Sequence, residues 1–366
     1  MKIKNKLQNL IKIYINKNSY LYFLYNKIRF NFNNILSLPL LFTFFIFYSI
    51  TGIRYSKSNI LLINSFCVSS GYSNDFLSYL ISLFSTKKKI DLSKFDDNLK
   101  IKDNIEDIIK SLNNNGYYVF NNFLPSLIIN DLVNFALSNS CEIRNTDESV
   151  SLGSAECLYS SNKKYSTIYD FKKIDLLNLN SVQNIISYPL FIEIARKYFN
   201  TEPYLDGLSM WWTTNYKKSP DKASAQYFHF DMDTIRWLKF FIYLTDVDEN
   251  SGPHVYISGT HKSGSIPKHI LNKGYQRLDD NLIFENFDPN TVKTFFGKKG
   301  TIIVEDTRGL HKGLNVKSND RLLLQLQFSN SLFGSSDLMN LKINDTGVNN
   351  LNYLINSKSK ILKVFA

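Results

Sequence analysis

Cysteine is scarce in this chain. Cys67, Cys141 and Cys157 are far apart in 366 residues and form no CxxC pair. That argues against a disulfide framework or a zinc site and fits a reducing compartment. Acidic residues are absent from residues 1–74, which carry nine basic ones: Lys2, Lys4, Lys6, Lys12, Lys17, Lys27, Arg29, Arg54 and Lys57. The net charge of +11 therefore belongs to the N-terminus, because the remainder holds 34 basic and 32 acidic residues. That distribution, with no nucleic-acid-binding motif, argues against a nucleic-acid partner. There is no internal repeat. Hydrophobic residues make up 44% of the chain and aromatics 14%, too many for a disordered protein and enough for a sizeable core.

Charge is also missing from residues 35–53, ILSLPLLFTFFIFYSITGI. As a helix this run would span about 28 Å, near the thickness of a bilayer core, with Pro39 weakening its first turn. Upstream, Leu7, Leu10, Ile11 and Tyr14 fall at helical spacing among Lys4, Lys6 and Lys12, the pattern of a basic amphipathic helix on an anionic surface. The apolar run begins too late and is too long for a signal peptide. It fits a span, an in-plane segment, a re-entrant hairpin with residues 59–83 as its second arm, or a helical hairpin buried against the main domain. Membrane-surface contact through residues 1–60, at the cytoplasmic face, is the expectation carried forward.

Residues 84–100, with Lys87, Lys88 and Lys89, read as a linker. The chain divides into a basic, apolar segment, 1–97, and a domain, 98–366, with a β core at about 204–333. Ile105, Ile108, Ile109 and Leu112 mark an amphipathic helix that Asn115-Gly116 ends. A β-prone run, 117–120, follows, and Pro125 turns into a helix with Leu127, Ile128, Leu132 and Phe135 on its apolar side. From about residue 204 the texture is β, with candidate strands at 207–214, 226–231, 237–245, 254–258, 301–305 and 321–328, separated by turns such as Ser251-Gly252-Pro253 and Lys298-Lys299-Gly300. This predicts a mainly β fold with flanking helices (α+β), a double-sheet barrel and not a parallel α/β sheet. The polar tail after 334 reads as a helix or loop cover.

Chemistry concentrates at Tyr227-Phe228-His229-Phe230-Asp231. Residues i and i+2 of a strand share a face, so His229 and Asp231 can reach one metal. Two histidines and one carboxylate on one side of a metal leave positions open, as iron(II) oxygen chemistry requires. His254, His261, His269 and His311 compete for the third place. A 2-oxoglutarate cosubstrate also needs a cation for its distal carboxylate, which the planar fork of Arg suits best. Arg321 lies ten residues after His311 on the run RLLLQLQF. No Arg stands at similar distance after His254, and Arg277, eight residues after His269 and sixteen after His261, lies outside a strand. That selects His311 with Arg321.

His229-x-Asp231, the stretch FFIYLTDVDENSGPHVYISGTHKSG at 240–264, EDTRGLHKG at 305–313 with Arg321, and GYYVFNNFLP at 116–125 together resemble the phytanoyl-CoA dioxygenase family over roughly residues 105–333. The resemblance implies a double-stranded β-helix (jelly-roll) barrel holding Fe(2+) at His229, Asp231 and His311. It further implies that 2-oxoglutarate and O2 are consumed, succinate and CO2 released, and a small-molecule or lipid-like substrate hydroxylated. Retention of Asp231 speaks against a halogenase. A single positive-inside span would place such a domain away from cytosolic 2-oxoglutarate, which favours an in-plane or re-entrant arrangement. Other candidate cosubstrate contacts are Trp212, on the preceding strand, and Lys239 and Tyr243, which share a face of strand 237–245. Trp237 is expected to pack. His261 is expected to be structural, His254 and His269 to lie on the surface or in loops, and Asp246, Asp248 and Glu249 to form a solvated turn. The competing readings are a non-catalytic ligand-binding barrel at a membrane and a metal-dependent cupin isomerase or hydrolase.

Overall fold

A computed structural model describes residues 36–55, 57–84, 91, 104–144, 155–335 and 347–363. The basic stretch around Leu7–Tyr14 and almost all of the linker at 84–100 lie outside the described residues.

Local signals set the opening of the main domain. Asn104 accepts a hydrogen bond from the Glu106 amide and caps helix Ile105–Asn115. Gly116 ends it at φ 89°, donating to the Leu112 carbonyl. A side chain there would also strike the Tyr256 hydroxyl and come within 2.6 Å of His261 Nδ1, so only glycine fits. Strand β1 (Tyr117–Phe120) follows directly, then helix Ser126–Ser138. Three short strands come next, β2 (Ser140–Ile143), β3 (Glu156–Leu158) and β4 (Ile168–Asp170), then helices Lys173–Leu177, Asn180–Ile186 and Pro189–Phe199. The core strands are β5 (Tyr204–Thr213), β6 (Trp237–Tyr243), β7 (His254–Ile257), β8 (Val292–Phe295), β9 (Ile302–Glu305), β10 (His311–Gly313) and β11 (Arg321–Ser329).

These strands form an antiparallel eight-stranded sheet, in the order β1-β9-β6-β11-β5-β4-β2-β3, and a three-stranded one, β10-β7-β8. Every residue of β6 is buried, as expected of a central strand covered on both faces. Its alternation sorts two cores. Leu238, Phe240 and Ile242 face the helix layer, where Phe240 meets Phe191 at 4.8 Å, while Phe241 and Tyr243 pack with Tyr256 and Phe295 of the small sheet. Cys141 and Cys157, remote in sequence, are cross-strand partners on β2 and β3 and remain thiols.

Two expectations change. Residues 226–231 form no strand, only isolated bridges, Phe228 to Leu278 and His229 to His311. Asp231 breaks the ladder by donating its amide to the Thr307 carbonyl at 2.8 Å. The apolar run near the N-terminus is helical over 36–51 and packs on the domain, as do helices Ser58–Ser69 and Tyr72–Phe84. Leu41, Phe45, Leu62, Phe66 and Leu77 share a core with Phe228, Phe230, Ile235 and Trp237. At about 1.5–3 kcal/mol per buried side chain, the five contribute on the order of 10 kcal/mol before entropy. Among the described residues no helix is long and apolar enough to cross a membrane.

Candidate metal centre

Two antiparallel contacts assemble the centre. His229 and His311 exchange backbone hydrogen bonds at 3.0 and 2.9 Å, which sets their rings side by side with centroids 4.3 Å apart. The Asp231 amide bond to Thr307 then turns its carboxylate toward both rings. Nε2 of His229 is 3.6 Å from one Asp231 oxygen and Nε2 of His311 is 3.4 Å from the other. Ligand atoms of all three lie within 4.8 Å of one another.

The same device orients both imidazoles. Nδ1 of His229 lies 2.9 Å from the Tyr227 carbonyl, and Nδ1 of His311 lies 2.9 Å from the Gly309 carbonyl. A carbonyl only accepts, so each Nδ1 carries a proton and each Nε2 is turned toward the carboxylate. Burial disfavours charge on His311, but that carboxylate raises its pKa above the ordinary value. Burial, reinforced by the neighbouring His311, holds the His229 pKa well below the ordinary value. Burial opposes the charged form of Asp231 too, but Lys239 and the two histidines override it and keep a carboxylate. Two imidazole nitrogens and one carboxylate oxygen are a donor set suited to a divalent transition metal.

A cavity of about 280 Å³ opens on these groups, and Trp211, Arg277 and Arg321 also line it. Arg321 is only 5% exposed. One of its Nη atoms donates to the Gly252 carbonyl, Nε has no partner, and among the described residues no carboxylate lies within 4.0 Å. Burial pulls its pKa down, partly offset by the neighbouring Tyr243 hydroxyl. An enclosed guanidinium with no carboxylate partner among the described residues is what a carboxylate-bearing cosubstrate would complete.

The other candidate cosubstrate contacts have partners within the protein. Lys239 lines the cavity, but its ammonium bridges Asp231 at 2.6 Å and Asp233 at 3.0 Å. It therefore steadies a candidate ligand. The Tyr243 hydroxyl donates to the Phe295 carbonyl at 3.0 Å and accepts from the His254 amide at 3.1 Å. Trp212 points away from the site and stacks on Tyr159 at 4.0 Å. Strand alternation is the reason: Ser209, Trp211 and Thr213 are the β5 residues on the cavity face. Trp237 packs as expected, and its indole N–H donates to Thr307 at 2.8 Å. His261 is buried and its Nε2 lies 3.3 Å from the Asn113 carbonyl, while His269 is exposed.

His254 departs from expectation. It lies on β7 and is buried in the cavity wall, with Nε2 2.8 Å from Glu305. Burial pushes Glu305 up to about 8 and His254 well below its ordinary range. The strand assignment held the signal: with Tyr256 facing in, alternation turns His254 in as well.

The sequence matches no family model and no curated protein. Among solved structures it is similar to the non-heme alpha ketoglutarate dependent epimerase SnoN from nogalamycin biosynthesis, at 14% identity over 62% of this chain and 82% of that one, TM-score 0.41. HygX from Streptomyces hygroscopicus with nickel and 2-oxoglutarate bound is similar at 13% identity over 61% and 86%, TM-score 0.43. EctD from S. alaskensis in its apoform is similar at 14% identity over 66% and 82%, TM-score 0.43. At these values the likeness does not decide the chemistry, which rests on the chain's own residues.

A second constellation supports the segment that carries His311. Arg308 is 2% exposed, and its guanidinium meets Asp306 at 2.7 Å and Asp75 of helix Tyr72–Phe84 at 2.9 Å. The Tyr198 hydroxyl adds a 2.7 Å bond to Asp306. The N-terminal helices are thus tied to the loop that presents His311. Sequence reading missed this, because Asp75 and Arg308 are 233 positions apart.

Proposed function

We propose that this chain is an iron(II)- and 2-oxoglutarate-dependent dioxygenase that hydroxylates an unactivated C–H bond of a small-molecule or lipid-like substrate. The observation that carries the reading is the placing of His229, Asp231 and His311 in one cavity with the guanidinium of Arg321, whose Nε has no partner and which has no carboxylate within 4.0 Å among the described residues. The resemblance of residues 105–333 to the phytanoyl-CoA dioxygenase family supports it, and the two antiparallel sheets fit that family's double-stranded β-helix.

In this reading Fe(2+), when bound, supplies the oxygen activation that couples R–H, O2 and 2-oxoglutarate to R–OH, succinate and CO2. His229, Asp231 and His311 hold it from one side. Lys239 keeps Asp231 ionised and in place. Arg321 orients the distal carboxylate of 2-oxoglutarate by paired N–H donors. Phe241, Trp211 and Leu323 add apolar wall to the cavity and limit water there. Anaerobic equilibrium titration tests this. The full-length protein should bind 2-oxoglutarate only with iron(II), and His229→Ala should abolish that binding. A folded wild-type protein without iron-dependent 2-oxoglutarate binding would sink the reading and favour a non-catalytic binding barrel.

We also propose that the N-terminal segment docks on an anionic membrane surface at its cytoplasmic face. Ser37, Leu41 and Phe45 face the domain, whereas Leu36, Leu40, Phe47 and Ile50 face outward. Helix Tyr72–Phe84 buries Leu77 together with the polar Ser73, Asn74 and Ser78, while Tyr72, Phe76, Tyr79 and Leu83 are exposed. Phe42 touches Phe76, which joins the two apolar stripes. In sequence, residues 1–74 carry nine basic residues and no acidic one, a balance that suits anionic lipid. The full-length chain should sediment with phosphatidylcholine vesicles containing phosphatidylserine. Phe47→Ser with Ile50→Ser should weaken this at least tenfold. A monodisperse chain that ignores these vesicles would refute the docking, and burial of the patch in a stable dimer would replace it.

A further inference from the structure

Among the described residues the cavity holds a second guanidinium without a carboxylate partner, that of Arg277. Leu278 donates to the Phe228 carbonyl at 2.7 Å in an antiparallel bridge. One step along that register sets Arg277 beside His229, which is itself bridged to His311. Opposed residues of antiparallel segments point to the same face. Arg277, His229 and His311 therefore stand in a row, and all three line the cavity.

Among the described residues no carboxylate lies within 4.0 Å of the Arg277 guanidinium. One Nη is buried with no hydrogen-bond partner. The carboxylates that follow it in sequence are engaged elsewhere. Asp279 caps helix Asp280–Asn286 by accepting from the Asn281 amide at 2.9 Å, and Asp280 holds Lys312 at 2.7 Å. Asp231 is held by Lys239. Arg144, another cationic group on the cavity, already pairs with Asp170 through two nitrogens. Enclosing a guanidinium hydrogen-bond donor without a partner is unfavourable. The site becomes favourable when an anion enters.

In the dioxygenase reading, 2-oxoglutarate needs only Arg321 for its distal carboxylate. Its keto-acid end belongs at the metal, which leaves one distal carboxylate. Arg321 lies on β11 of the large sheet, opposite Thr213 of β5. Arg277 lies beside the small sheet, on a segment whose Tyr275 is 44% exposed. That segment therefore reaches the surface beside the cavity.

We propose that Arg277 is an anion subsite for the substrate, receiving a carboxylate or phosphate group and holding the adjoining carbon chain toward the metal. The inference rests on the dioxygenase reading for the role of Arg321, but the subsite can be tested apart from it. The probes are inorganic phosphate and butyrate, titrated calorimetrically into the full-length protein with and without iron(II) and 2-oxoglutarate under anaerobic conditions. Wild type should bind one probe at millimolar concentration. Arg277→Gln should weaken it at least tenfold while changing 2-oxoglutarate affinity less than threefold. Arg277→Lys should retain part of the probe affinity, and it stands in if Arg277→Gln does not fold. The stronger probe identifies the anion class. Equal loss of 2-oxoglutarate binding in Arg277→Gln would make Arg277 a cosubstrate contact and overturn the proposal. So would the absence of any Arg277-dependent probe binding. Failure of 2-oxoglutarate binding with Arg277-dependent probe binding intact would defeat the parent reading and leave the subsite standing.

Discussion

Replacing Arg321 with Met separates a cosubstrate anchor from a structural ion pair, because the two roles predict opposite results. Arg321 is buried, bonds the Gly252 carbonyl, and has no carboxylate within ion-pair distance among the described residues. Loss of the Gly252 bond costs about 1.5–3 kcal/mol. Removing an uncompensated buried charge returns a similar amount. The metal-free variant should therefore unfold within about 1.5 kcal/mol of wild type, a shift of a few degrees for a chain of this size. Binding should respond very differently. Losing one partner of an enclosed, hydrogen-bonded charge pair costs about 2–4 kcal/mol. 2-Oxoglutarate affinity should fall on the order of 30- to 1,000-fold, since 1.36 kcal/mol is a factor of ten. Thermal unfolding of the metal-free protein and anaerobic 2-oxoglutarate titration of the iron-loaded protein measure the two quantities. A variant destabilised by more than about 3 kcal/mol whose folded fraction binds 2-oxoglutarate normally would refute the reasoning.

Three further outcomes follow from the charged networks. Arg308→Met leaves Asp306 buried without its partner and should destabilise the protein by about 3–5 kcal/mol in urea. Arg308→Met with Asp306→Asn should recover most of that, and no recovery would refute the pairing. The Asp75 end adds little, because Asp75 is 44% exposed. Acid should act through the same pair. Burial opposes ionisation of Asp306, but Arg308 overrides it and holds the carboxyl at about 2. A depressed folded-state pKa means stability that is complete above about pH 4 and lost as pH falls through 2. That contributes about 2 kcal/mol. Urea midpoints between pH 5 and 2 should show this decline in wild type and not in the double variant; identical curves would count against it. Lys239→Met frees one side of Asp231 and should weaken iron(II) binding about 10- to 100-fold. Unchanged metal affinity would show that Lys239 does not position the carboxylate.

How much of the molecule was legible in advance depended on range. Helix Ile105–Asn115 and its glycine stop, and strands β1, β5, β6, β7, β9 and β11, follow from local pattern. Helices between residues 173 and 199 and the short strands β2–β4, β8 and β10 did not stand out. Their pairing partners, and not their own periodicity, hold them in place. In the site, His229-x-Asp231 and the ten-residue interval from His311 to Arg321 can be read in one dimension, and the fold brings all four to one cavity.

Other assignments needed the third dimension. Adjacent residues Trp211 and Trp212 have the same composition and opposite faces, so register alone decided which lines the cavity. Whether Lys239 met a cosubstrate or a carboxylate depended on Asp231 and Asp233 converging on it from another segment. His254 was hidden until Glu305 came beside it. Linear spacing thus determined which residues offer the chemistry. Tertiary packing decided which of them are free, because a charge is neutralised or left open only by groups that folding brings within a few ångströms.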